Sequence, residues 1–306
     1  MDFEYETFQL FSGSESSDTD TEEEGSQVLT TAFAKNGYIS IMEVETKPRS
    51  FTRNLTAFLA ANLDANHAEW LLWGCCLCSG LVDSTIYSAY STFVSMQTGN
   101  TIFVALGASN QNPRPYGWAR SLTSIGCFTL GCFLFGRLNR WMGGKRRGTL
   151  VLSFSIQLVL LVITATLVTT GVIESSRPTS TNLTAAAGDA AETQWTQEVP
   201  IVLLSIQSAG QIVASRALGF NEMPTVVITS LLCDLVVDPE LFLPRNNKRD
   251  RRVGAFVLTL AGAVAGGWMV KTTGNIWPAL WLVTGIKAAI IVAWVFWRET
   301  ESQRAV

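Results

Sequence analysis

The chain has 306 residues, of which only 15% are charged, and a mean hydropathy of +0.25, whereas soluble domains carry about 25% charged residues. A water-soluble enzyme is therefore not expected. The single histidine, His67, excludes a multi-histidine metal centre and leaves little room for a histidine-centred triad, and six cysteines in apolar surroundings do not make a secreted disulfide scaffold.

Charge is unevenly spread. Residues 1–68 hold twelve acids and four bases, formally −8, and the remainder holds thirteen acids and eighteen bases, formally +5, which together give the net −3. Within the first part, Ser12 to Gly25 reads SGSESSDTDTEEEG, with no aliphatic or aromatic side chain. Such a segment cannot offset its ordering entropy by burial, so residues 1–68 are expected to form a disordered acidic tail. No basic stretch followed by an apolar run opens the chain, and no cleaved signal peptide is expected.

From Trp70 onward, apolar stretches reach the ~20 residues that a helix needs to cross a bilayer. Spans are predicted near 70–92, 117–138, 149–173, 199–218, 253–272 and 276–297. The third carries no charge, and the last has tryptophans at both ends, where amphipathic rings sit at headgroup depth. Asp83, Arg120 and Arg216 weaken the first, second and fourth. Two further apolar pieces, 100–108 and 226–237, are too short to cross comfortably.

Loop charge orients the chain. The loop after span two holds Arg137, Arg140, Lys145, Arg146 and Arg147, and the loop before span five holds Arg245, Lys248, Arg249, Arg251 and Arg252 with Asp250. By the positive-inside rule both face the cytosol. Six crossings satisfy this, with cytosolic N- and C-termini, a non-cytosolic loop 174–198 and a short tail 299–306. A seven-span version, in which the first short piece also crosses, stays open. Asn182-Leu183-Thr184 in the outer loop is a glycosylation candidate, while Asn54-Leu55-Thr56 falls on the cytosolic tail.

Met96 to Thr101 and Pro224 to Ser230 each precede a short apolar run, and Thr98 and Thr229 lie 131 residues apart. Gly126 to Leu130 resembles Gly254 to Leu258, at a spacing of 128. These matches predict an all-α polytopic fold of two three-helix repeats, about 69–173 and 199–298. An odd number of spans per repeat inverts the second copy in the membrane. Thr98, Gly99, Asn100 and Thr229 would then sit in segments dipping in from opposite faces; ordinary extramembrane turns are the other reading.

Gly80 to Tyr87, Phe93 to Thr101, Gln207 to Arg216 and Thr225 to Thr229 resemble the YoaK-type family of multi-pass membrane proteins of unknown function, over roughly residues 68–298. The acidic tail resembles that of fungal members. In the second half, Pro224-Thr225 and Ser230-Leu231 stand where the family more often has a paired threonine and a Thr-Gly. The resemblance implies a polytopic membrane protein and brings no activity, substrate or cofactor.

Charged side chains at mid-bilayer depth are costly and usually face a bundle interior. Asp83 in span one and Lys287 in span six are the sharpest site candidates, either paired as structural glue or serving a substrate or proton. Gln207 and Gln211, four residues apart on one helix face, could line a polar cavity or bond between helices. Cys75, Cys76 and Cys78 lack a histidine or second cysteine pair, so no metal site is expected, and the Gly262-x-x-x-Gly266 spacing suits close helix packing. Phosphate loops and dinucleotide fingerprints are absent, so neither enzyme nor cofactor is expected. The basic loops suit anionic lipid rather than nucleic acid. A small-molecule transporter, with Asp83, Thr98, Gly99, Asn100, Gln207, Gln211, Thr229 and Lys287 along its path, is the leading reading. A membrane scaffold acting through its acidic tail and basic loops is the alternative.

Overall fold

The computed structural model describes residues 27–35, 38–46, 51–112, 116–173, 195–223 and 225–300. It divides into two units, at residues 58 and 59. In the first, β1 (Gln27–Lys35) and β2 (Tyr38–Thr46) pair antiparallel, with Gln27 opposite Thr46 and Lys35 opposite Tyr38. The two intervening residues are Asn36 and Gly37, the dipeptide most favoured between hairpin strands. Helix α1 (Phe51–Ala60) follows. Part of the stretch expected as a disordered tail thus carries regular structure, while its acidic core, 12–25, lies outside the described residues, as does the glycosylation candidate Asn182.

The second unit is helical. Six helices are long and apolar enough to cross a membrane: α2 (Glu69–Tyr90), α4 (Gly117–Met142), α5 (Arg147–Thr169), α6 (Glu198–Leu218), α8 (Asn247–Thr273) and α9 (Trp277–Val295). They coincide with the six predicted spans, because in hydrocarbon a helix satisfies every backbone group internally and needs no polar neighbours to do so. The two short pieces also become helices, α3 (Gln97–Ala108) and α7 (Ile228–Val236). Terminal chemistry is local: Asn246 caps α8 by accepting the Arg249 N–H at 2.9 Å, and Gly219 ends α6 in the left-handed region, φ 93°.

The packing is symmetric under exchange of halves. Every substantial pairing among α2 to α9 keeps a counterpart when α2–α5 are exchanged for α6–α9. Helix α2 packs on α8 as α6 does on α4, α2 on α9 as α6 on α5, and α3 on α4 as α7 on α8. The pairs α5 with α9 and α2 with α6 map onto themselves.

Register follows from burial. On α4 and α8, Ser124, Gly131, Phe135 and Asn139 are buried, as are Ala255, Gly262, Gly266 and Val270, each pair 131 residues apart. Asn100 and Leu231, at the same spacing, are the buried residues of α3 and α7. An added Cβ on Gly131 would meet Ala209, and one on Gly262 would overlap the carbonyl of Leu77, the position matching Ala209 on α2. The expected match of Gly126 with Gly254 is corrected: Gly254 is pressed against the Trp73 ring, whereas Gly126 has open space beside its Cβ.

Residues 61–64 are woven between two other segments. The Leu63 and Arg147 amides donate to the Lys145 and Ala61 carbonyls, and the Asp64 and Thr300 amides bond the Arg298 and Asn62 carbonyls. Arg147 adds a 2.9 Å ion pair to Glu299. Residues from Leu59 onward belong to the second unit, and the 145–147 loop, the strap 61–64 and the C-terminal segment share one end. Near the start of α8, Arg252 pairs with Asp238 at 2.9 Å. The Glu240 amide first, then Asn246 and Arg252, hold the Asp238 carboxyl below its ordinary 3.8. A lowered carboxyl pKa contributes stability that is present above 3.8 and lost as pH falls through the lowered value. The melting-temperature gap between wild type and Asp238→Asn, followed from about pH 7 to pH 3, should therefore close only at the acidic end.

Candidate functional site

Two buried polar clusters sit inside the bundle. In the first, Asp83, 2% exposed on α2, accepts the backbone N–H groups of Val94 at 2.9 Å and Ser95 at 3.1 Å, and the Ser95 hydroxyl donates to its other oxygen. Asn100 closes the same loop: its Oδ1 accepts the Phe93 N–H at 3.1 Å, and its Nδ2 donates to the Phe93 carbonyl at 2.7 Å. Ser124 on α4 also donates to that carbonyl, at 2.8 Å, and meets Ser205 of α6 at 2.9 Å. The carboxylate and the amide supply the partners that this buried loop cannot take from water.

The segment thereby presents Phe93, stacked 4.7 Å from Tyr87 and 6.1 Å from Phe103. A Cβ on Gly99 would stand 2.9 Å from the Phe93 ring. Gly99→Ala is expected to cost about 1–3 kcal/mol of stability, read by thermal unfolding in detergent, and a second change, Phe93→Ala, should suppress that loss.

The second cluster gathers around Lys287 of α9, which has no solvent exposure. Its Nζ donates to Gln211 Oε1 at 2.6 Å and Gln157 Oε1 at 2.8 Å, and lies 5.0 Å from the centre of the Phe154 ring. Gln211 Nε2 continues to Ser79 Oγ at 2.7 Å and to the Cys75 carbonyl at 3.0 Å. Helices α5 and α9 begin 130 residues apart and bury matching positions at that spacing, among them Gln157 and Lys287. Ser79 and Gln211 correspond on α2 and α6, at the spacing of 132 that also relates Leu77 to Ala209. Equivalent positions that touch each other must straddle the axis relating the halves. The Lys287 cluster lies on that axis.

Asp83 and Lys287, for which pairing was one of two readings, do not pair. Among the described residues no ion pair joins them; the carboxylate holds the 93–95 loop and the ammonium holds two glutamines. Thr98 and Thr229 are exposed in the first turns of α3 and α7, and Gln207 is buried on the same helix as Gln211 but outside the Lys287 contacts. Among the described residues the second half has no equivalent polar loop cluster, because Leu231 and Ala255 stand at the positions of Asn100 and Ser124. There Ser215 does part of the work, donating to the Met223 carbonyl at 2.6 Å. Sequence reading missed Ser79, Ser124 and Ser205. The signal for Ser79 was its spacing from Gln211, legible once the register between halves is known.

An ion-paired arginine latches α8 to α2. Arg251 near the start of α8 pairs with Glu222 at 2.9 Å and with Glu69 of α2 at 3.5 Å. At the matching position on α4, Arg120 acts on Glu198 at the start of α6. No group of three or more histidine, cysteine or acidic residues that could hold a metal is found among the described residues.

Six apolar helices, paired by halves around a buried polar axis, define a multi-pass helical membrane protein. A family model described as "Protein of unknown function (DUF1275)" matches residues 71–293, and the chain belongs to that family. This agrees with the YoaK-type resemblance. No curated protein and no solved structure matches the chain.

Proposed function

We propose that the protein is a small-molecule transporter or permease rather than an enzyme or a scaffold. The observation that carries this reading is Lys287, a fully buried charged side chain on the axis between two exchange-related halves. Three crossings per half turn the second half upside down, and inverted halves with a polar site between them are the architecture of alternating access. The Glu69–Arg251 ion pair, and Arg120 with its electrostatic influence on Glu198 at the matching positions, then lie at opposite ends of the bundle. The arginines and lysines of the basic end, which holds residues 61–64 and both termini of the membrane unit, support a cytosolic placement and suit anionic lipid headgroups.

The test uses the full chain reconstituted in liposomes bathed in deproteinised cell extract, with the lumen read by mass spectrometry. At least one small solute should enter faster than into empty liposomes or liposomes holding equal amounts of Lys287→Met. Removal of residues 1–58 should leave uptake unchanged. Lumens indistinguishable from empty liposomes would overturn the reading and favour a scaffold.

A further inference from the structure

We infer that the Lys287 cluster is a binding site for a small anion, a carboxylate or an inorganic oxyanion. This names the solute class and rests on the transport reading above. The warrant is a charge imbalance at the axis. Among the described residues, Lys287 Nζ meets only the neutral acceptors Gln157 Oε1 and Gln211 Oε1, the Phe154 ring, and Cys75 Sγ at 3.9 Å. Amide oxygens satisfy its hydrogen bonds but leave its charge uncompensated, and a buried cation without a counter-ion is costly.

The nearest carboxylate on the helices that form the cluster cannot serve. Asp83 is four residues along α2 from Ser79, a rise of about 6 Å, and three donors from the 94–95 segment already occupy its oxygens. The remaining acids on these helices, Glu69 and Glu198, lie at the first turns of α2 and α6, beside Arg251 and Arg120.

The glutamines fit an anion better than a cation. Among the described residues Gln157 Nε2 is held only by a 3.4 Å contact to Ser153 Oγ, so a turn of this amide presents its NH₂ beside the ammonium. An anion there would receive Lys287 Nζ and Gln157 Nε2 together, while Gln211 stays anchored to Ser79 and Cys75. A cationic solute would meet Lys287 as a like charge. A neutral one would leave the imbalance in place.

The experiment measures the melting temperature of the purified full chain in detergent. Sodium salts of chloride, sulfate, phosphate, acetate and succinate are titrated at fixed ionic strength, and a second series varies the cation as lithium, potassium and choline chlorides. At least one anion should raise the melting temperature saturably by about 3 °C or more, and Lys287→Gln should abolish the rise. The carboxylate and oxyanion arms separate the two chemistries. If Lys287→Gln does not fold, Gln157→Leu replaces it and should weaken half-saturation at least several-fold. No saturable anion effect, an anion effect that survives the substitution, or a cation effect lost with it would overturn the site. Uptake of a neutral or cationic solute would remove the anion assignment and keep transport. Saturable anion binding without any uptake would do the reverse.

Discussion

Gly262→Val is expected to prevent assembly of the membrane unit. Helices α2 and α8 approach so closely that a Cβ on Gly262 overlaps the Leu77 carbonyl, one on Gly80 overlaps the Thr259 carbonyl, and one on Gly266 overlaps the Ser84 side chain. At Gly80 and Gly262 the obstacle is backbone, so relief requires the helices to separate. Separation gives up the α2–α8 packing and the matching geometry around Leu81, at a cost of roughly 4 kcal/mol or more. Expression monitored by size-exclusion chromatography in detergent should show Gly262→Val and Gly80→Val as aggregates. Gly126→Ala and Gly267→Ala, whose Cβ atoms meet nothing within 4 Å, should run as wild type. Monodisperse Gly262→Val would contradict the packing.

Asp83→Ala has the next largest expected effect. It strips acceptors from the Val94 and Ser95 amides and from the Ser95 hydroxyl, all buried. Breaking a buried hydrogen-bonded charge typically costs about 3–5 kcal/mol. Asp83→Asn keeps one carbonyl oxygen for the two amides and an NH₂ for the Ser95 oxygen, so its loss should be about 1–2 kcal/mol. Thermal unfolding in detergent orders the series wild type, Asn, Ala. Because Asp83 positions the loop, both variants should also expose residues 91–96 to proteolysis. Equal stability of all three proteins would remove the carboxylate from this role.

The six spans were legible because hydrophobic length is a strong signal and hydrocarbon leaves the backbone few alternatives. The two halves were legible only in outline. Thr98 and Thr229 gave the spacing of 131 correctly, but Gly126 and Gly254 suggested 128, since small and aromatic residues recur in any apolar helix. Burial, which sequence does not contain, supplied the right partners, Gly131 with Gly262. Asp83 and Lys287 stood out as charges in apolar runs, yet nothing in the sequence said whether they met. The answer depended on an eight-residue difference along α2, where Cys75 faces Lys287 and Asp83 reaches the following loop.

The inverted relation of the halves can be measured directly at two equivalent positions. Thr98 and Thr229 are both exposed and open their short helices. Each is replaced by cysteine, singly, in a full-length chain in which Cys127, Cys132 and Cys233 are alanine and the buried cysteines 75, 76 and 78 are kept. A membrane-impermeant maleimide applied to sealed vesicles of known orientation then reports the accessible face. Inverted halves require position 98 to label from the non-cytosolic side and position 229 from the cytosolic side. Labelling of both from one side would contradict the inversion, and with it the transport architecture built on Lys287.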